Sequence, residues 1–205
     1  DPTPHSSDWD PSDMGSKTYK GDAKYFPDMV SYMDHSIGRI VQELDNLKLR
    51  EDTLIIFTGD NGTDSPIVSE TINGEIIWGK GRTTDNGTHV PLIASWKGKV
   101  KEGSVNSSLV DFSDFLPTIC EATGTDFPKE SYVDGVSFLP QILGKNQSNK
   151  KFIYSWYFPR PYIKVEDNKP IEWTRNESYK LYGDGRFFNV KNDFHEKTPL
   201  NKNEL

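Results

Sequence analysis

Cysteine occurs once in the chain, as Cys120, so no internal disulfide is available and a Cys-rich zinc site is excluded. No apolar run approaches the roughly 18 residues that a membrane-spanning helix needs. Basic residues are outnumbered, 24 Lys and Arg against 31 Asp and Glu. The formal net charge of -7 makes the chain a poor general binder of nucleic acid or of an anionic membrane. A site for an anionic substrate must therefore concentrate positive charge locally. The start, "DPTPHSSDWDP", has neither an initiator Met nor a signal-like apolar stretch, and reads as cut from something longer.

What is present is enough for one sizeable domain, or a main domain with a small appendage: 205 residues, 34% apolar and 27% charged. Residues 1–22 are rich in Pro, Ser, Asp and Gly and read as loop. From about Ala23 to Leu49 the apolar residues Met29, Met33, Ile37, Ile40, Val41, Leu44 and Leu47 recur three and four apart, predicting an amphipathic helix. "TLIIF", Thr53 to Phe57, is short, β-branched and apolar, which suits a buried parallel strand. Helix, loop and buried strand together predict an α/β fold. A polar stretch with six glycines, Gly59 to Gly87, reads as a long functional loop. "VPLIASW", Val90 to Trp96, predicts a second buried strand. A helix starting near Ser113, with Pro117 in its first turn, ends at Gly124.

The composition shifts near Lys145. Two alternating runs flank Gly183-Asp184-Gly185 and predict a hairpin within an antiparallel subdomain. The expected organisation is 1–149 as the larger α/β part and 150–205 as the small antiparallel subdomain. The aromatics Trp156, Tyr157, Phe158 and Trp173 are expected to pack the subdomain core.

The stretch "IIFTGDNG", Ile55 to Gly62, passes from apolar strand to carboxylate, amide and glycine within a few residues. In open α/β sheets ligands gather at the carboxyl ends of strands. Gly59 and Gly62 permit a turn that brings Asp60 and Asn61 to one side. Their oxygens suit a hard cation, Ca²⁺ or Mg²⁺, but two are too few for the six to eight that Ca²⁺ takes. Asp-Asn-Gly is equally ordinary turn chemistry, and the stretch alone leaves both readings open.

The next segment adds "GKG" at 79–81, "DNG" at 85–87, His89 and "VPLI" at 90–93. With "GDNG" at 59–62, this order and spacing resembles the sulfatase family of the alkaline phosphatase superfamily. "LVDFSDFLPTICEATG", "DGVSFLPQILG" and "ESYKLY" followed by "FFNVKNDFHE" resemble further family segments, so nearly the whole chain is covered. The resemblance implies a sulfatase-like α/β sheet with flanking helices, truncated at its N-terminus, plus the small C-terminal subdomain. It implies that Asp60 and Asn61 are two Ca²⁺ ligands, with Mg²⁺ the lesser choice. Lys80 matches the lysine that contacts the sulfate, and His5, in "PTPH", a histidine that aids leaving-group protonation. His89 stands where the family has Arg and is expected to brace the loop; Asp85 and Asn86 replace Glu-Gly.

Sulfatases oxidise a cysteine or serine to formylglycine within Cys-x-Pro-x-Arg. Cys120 is followed by "EATGT", so it reads as a small core residue, and the formylglycine is expected in a missing upstream segment. This chain is then the C-terminal part of a sulfatase acting on a sulfated small molecule or glycan, inactive by itself. Residues 159–174, with Arg160 and Lys164, are the loop expected to select the substrate. The resemblance implies a periplasmic or extracellular bacterial protein. Sequons fall at Asn61, Asn86, Asn106, Asn146 and Asn176, and a functional Asn61 carries no sugar. The alternatives are a phosphonate or phosphate monoester hydrolase of the same superfamily, and a non-catalytic protein binding calcium or a sulfated glycan.

Overall fold

The structure, a computed structural model, describes residues 2–4, 6–10, 12, 22–71, 74–127, 130–145, 150–159 and 169–201. The long helix α1 spans Phe26–Asn46, entered through a 3-10 turn at Ala23–Tyr25 whose lead residue Asp22 accepts from the Lys24 N–H at 2.9 Å. The apolar spacing gives the expected helix, but it buries none of its residues, and Met29, Met33, Ile40 and Leu47 are exposed.

Strand β1, Ile55–Thr58, pairs with β4, Leu92–Ser95, in an antiparallel ladder that sets Ile55 opposite Ser95. The expected parallel, buried strand is therefore corrected on both counts. A parallel partner needs a crossover connection, usually a helix of a dozen residues or more. Between β1 and β4 the described residues offer only the hairpin β2, Val68–Thr71, with β3, Gly74–Ile77, and the one-turn helix α2, Asp85–Thr88. Two strands are too few to enclose both faces; β1 is half-buried and Ile93 of β4 is exposed. The Gly59 to Gly87 stretch is thus not all loop. Its hairpin was hidden because both strands lie on the surface, although the Asn-Gly dipeptide at 73–74 is a hairpin signal.

Helix α3, Phe115–Thr123, follows a 3-10 turn at Phe112–Asp114 and stops at Gly124, whose φ of +67° is the left-handed cap. Asp111 accepts from the Ser113 N–H at 2.8 Å while Asp114 accepts from the Asp111 N–H at 2.9 Å, a reciprocal capping box. Asp114 is buried, and its other oxygen accepts from the Val136 N–H at 2.7 Å and the Lys150 ammonium at 2.6 Å. One carboxylate therefore joins α3 to the segment leading to α4, Leu139–Ile142, and to the start of the C-terminal sheet. Cys120 is half-buried, beside Pro117 and Phe127, rather than a core residue.

The C-terminal sheet is four antiparallel strands in sequence order: β5 Ile153–Tyr157, β6 Ile171–Arg175, β7 Tyr179–Tyr182 and β8 Phe187–Asn189. The hairpin at Gly183-Asp184-Gly185 forms where the alternation predicts it. Trp173, Tyr182, Phe188 and Val190 make the core, with Ile153 and Ile171 packed against it. Trp156 does not join them; it lies 57% exposed, because alternation along β5 turns it to the opposite face.

The Asp111 carboxyl is held below its ordinary 3.8: burial pushes it up, but the Lys150 ammonium and the Ser113 hydroxyl and N–H outweigh burial. A carboxylate lowered on folding stabilises the fold above its unfolded pKa, and that stability is lost as pH falls through the lower folded value. Acid titration of unfolding should show this loss below pH 3.8. Asp111→Asn should flatten that limb.

Candidate anion and metal site

Strand β1 delivers the turn Gly59 to Thr63 at its carboxyl end. Three backbone bonds fasten this turn to the two later glycine motifs. The Gly62 N–H donates to the Gly87 carbonyl at 2.9 Å, and the Gly79 and Lys80 N–H groups both donate to the Thr63 carbonyl, at 3.0 and 3.1 Å. Asn86 is buried and its amide donates to the carbonyls of Trp78 and Ile77, at 3.0 and 3.2 Å. Residues far apart in sequence thus become one backbone-bonded cluster. The glycines are required by close approach: a Cβ at Gly62 or Gly79 would fall inside 3.0 Å of the Asn86 carbonyl.

Asp60 is exposed and Asn61 half-buried, and neither side chain has a hydrogen-bond or ion-pair partner among the described residues. An uncommitted carboxylate beside an uncommitted amide oxygen fits a hard cation. It is a partial ligand set, since no group of three or more His, Cys, Asp or Glu suited to a metal occurs among the described residues. Lys80 lies 3.3 Å from Asp64, with both side chains more than half exposed. Such a pair is worth about 0–1 kcal/mol, so the ammonium is readily drawn to an arriving anion. Next to it the Arg82 guanidinium stacks 3.9 Å from the Trp78 ring centroid.

His5 lies outside the described residues, as do Arg160 and Lys164. The expected selectivity loop 159–174 is shorter than the sequence suggested, because its last four residues belong to β6. His89 is exposed, and among the described residues its one hydrogen bond is from its backbone N–H to the Asp85 carbonyl at 2.7 Å. The bracing expected of His89 comes instead from residues the sequence reading missed.

Those residues stand on β6, on β7 and just beyond β8. Arg175 donates to the buried Asp85 carboxylate at 2.6 Å. Lys180 is fully buried, donating to the Thr83 carbonyl and to Glu196 at 2.8 Å, with its ammonium 4.3 Å from the Trp173 ring centroid. Tyr182 donates to the other Glu196 oxygen at 2.5 Å, which leaves the Thr83 hydroxyl to donate to Tyr182 at 3.1 Å. Burial drives the Lys180 ammonium below its ordinary pKa, against the pull of Glu196. Burial, then the Glu196 carboxylate, drives the Tyr182 phenol above its own. The signal in the sequence was the strand alternation itself, which puts Lys180 on the same face as Tyr182.

The glycine-pinned turn beyond a strand, with a lysine and uncommitted oxygens, defines an α/β protein with a candidate site for an anion and a cation. Solved structures of the same fold include Ps i-CgsB, with a TM-score of 0.72 at 24% identity over 93% of this chain and 42% of that one. BT4656 in complex with its substrate D-glucosamine-2-N,6-O-disulfate gives 0.68 at 23%, over 85% and 35%. The Sulfatase family model matches residues 3–125, and the model for the N-sulphoglucosamine sulphohydrolase C-terminal region matches residues 74–202. The chain belongs to the sulfatase family. It is 32% identical to the uncharacterized sulfatase YdeN of Escherichia coli (strain K12) over 149 residues, 72% of this chain and 26% of that protein. It is 28% identical to N-acetylgalactosamine-6-sulfatase of Canis lupus familiaris over 164 residues, 78% and 31% of the two. Against these two curated relatives the chain therefore spans between a quarter and a third of the length.

Gly62→Ala and Gly79→Ala should each destabilise the fold by about 1–3 kcal/mol through overpacking against Asn86. Gly38→Ala, mid-helix with nothing within 4 Å of the added Cβ, should stabilise it by about 0.5–1 kcal/mol. Urea unfolding of the three variants checks both signs.

Proposed function

We propose that the complete protein hydrolyses sulfate esters, with a sulfated small molecule or glycan as substrate. The observation that carries this reading is the backbone-bonded cluster of Gly62, Thr63, Gly79, Lys80 and Gly87, which ties Lys80, paired only through an exposed bridge to Asp64 among the described residues, to the turn bearing the uncommitted Asp60 and Asn61 oxygens. Family membership supports the reaction class. The substrate class is supported by the solved relative that holds a disulfated glucosamine. Export to a periplasmic or extracellular compartment goes with the same reading, and no helix among the described residues is long and apolar enough to cross a membrane.

In this reading Asp60 and Asn61 hold Ca²⁺ through their side-chain oxygens. The bound ion would supply Lewis-acid polarisation of the sulfate oxygens. Lys80 leaves Asp64 and places its ammonium against the sulfate, where charge grows as the S–O bond breaks. The Gly79 and Lys80 N–H groups are already committed to Thr63, so the side chain, not the backbone, meets the anion. The formylglycine nucleophile has no matching pattern in this chain, Cys120 included, so the proposal concerns the complete protein.

With an aryl sulfate as probe, Lys80→Ala should lower kcat/KM by about 100-fold or more, while Asp64→Ala should change it little. Unchanged turnover in Lys80→Ala would remove Lys80 from the sulfate contact. An aryl phosphate cleaved faster than the aryl sulfate would favour the phosphate-ester reading. Asp60→Ala and Asn61→Ala should each weaken Ca²⁺ binding by about tenfold or more in calorimetry, each removing a ligand from the ion; unaltered affinity would place the ion elsewhere.

A further inference from the structure

The C-terminal sheet is tied to the anion site by buried charges. Arg175 of β6 grips Asp85, the first residue of α2, at 2.6 Å, with side chains 13% and 4% exposed. Lys180 of β7 donates to the carbonyl of Thr83, two residues earlier. The chain of contacts from there to the site is short. Asp85 precedes Asn86, which holds Trp78, and Gly87, whose carbonyl receives the Gly62 N–H at 2.9 Å. Arg82, just before Thr83, donates its N–H to the Gly79 carbonyl at 2.8 Å, closing the turn that presents Lys80. A shift of Asp85 therefore moves the partners of both the Asp60-Asn61 turn and Lys80.

Chemistry argues that this is more than adhesion. A core made only of Trp173, Phe188 and Val190 would hold the sheet together without ions. Hydrophobic contact is non-directional, whereas a guanidinium on a carboxylate and an ammonium on a carbonyl fix angle as well as distance. A buried pair of this kind is weak evidence for stability and is better suited to specifying one arrangement. The α2 segment has only one turn of helix and needs outside partners to hold a single position.

We propose that Arg175 and Lys180 are positioning residues for the anion site, acting through Asp85 and the Thr83 carbonyl to fix where Lys80, Asp60 and Asn61 stand. The C-terminal sheet is then a working part of the site. This rests on the sulfate-ester reading for its catalytic consequence, but not for its structural one.

The test uses the complete protein with Arg175→Ala, Arg175→Lys, Asp85→Ala and the double variant Arg175→Ala/Asp85→Ala. Asp114→Asn is the control: it weakens a buried ion pair of similar burial that does not touch the site. The structural readout is hydrogen exchange at the Gly62, Gly79 and Lys80 amides under conditions where every variant stays folded. Arg175→Ala should speed exchange there by about tenfold or more, Arg175→Lys by less, and Asp114→Asn not at all. The catalytic readout is hydrolysis of the aryl sulfate. Arg175→Ala should cut kcat by about tenfold or more, since small misplacements are costly. The double variant should lose no more than the worse single, because the two residues act as one unit.

Unchanged exchange and unchanged kcat in folded Arg175→Ala would overturn the proposal, as would equal losses in Asp114→Asn. If the wild-type protein does not hydrolyse the sulfate ester, the functional reading fails, and the exchange data alone decide the positioning proposal.

Discussion

The arrangement depends on charges removed from water. Arg175 with Asp85, and Lys180 with Thr83, join a sheet late in the chain to a glycine-rich segment 90 or more residues earlier, and Glu196 completes the partners of Lys180. Leaving one member of such a pair unpartnered inside the protein costs about 3–5 kcal/mol, a large share of a domain's net stability. The sheet and the glycine loop are therefore held as one body. The Asp114 carboxylate repeats the device within another part of the chain, binding the Val136 backbone and Lys150 from the head of α3.

Around these ties the packing is modest. The aromatic core of the C-terminal sheet is closed, whereas α1 and the β1–β4 pair keep apolar side chains exposed. The candidate site lies at the carboxyl end of β1. Its rigidity comes from backbone hydrogen bonds and glycine close approach, not from a surrounding core. That suits a site for a charged group: the donors are fixed by the main chain, while Lys80 and Asp60 remain in contact with solvent.

Local pattern made several parts legible in the sequence. The three- and four-residue apolar spacing located α1, the left-handed glycine located the end of α3, and alternation around Gly183-Asp184-Gly185 located the last hairpin. Direction and depth were not legible, because an apolar run such as "TLIIF" specifies a strand but neither its partner nor what covers it. The surface hairpin β2–β3 lacked the one-sided burial that produces alternation. Asp60, Asn61 and Lys80 could be proposed for the candidate site because they lie inside short contiguous motifs. Arg175, Lys180 and Glu196 could not: their roles come from partners across the fold, and a lysine in a strand ordinarily points to water. Lys180 is the instructive case, buried because its face of β7 is also the face of Tyr182.

The most direct test is a crystal structure of the complete protein grown with calcium and a slowly reacting sulfate ester. The account predicts an anomalous peak for calcium about 2.3–2.6 Å from oxygens of Asp60 and Asn61. It also predicts a sulfate oxygen within about 3 Å of the Lys80 ammonium, as a charge-assisted hydrogen bond requires, with Asp64 released. Calcium and sulfate bound elsewhere, with Lys80 still paired to Asp64, would contradict it.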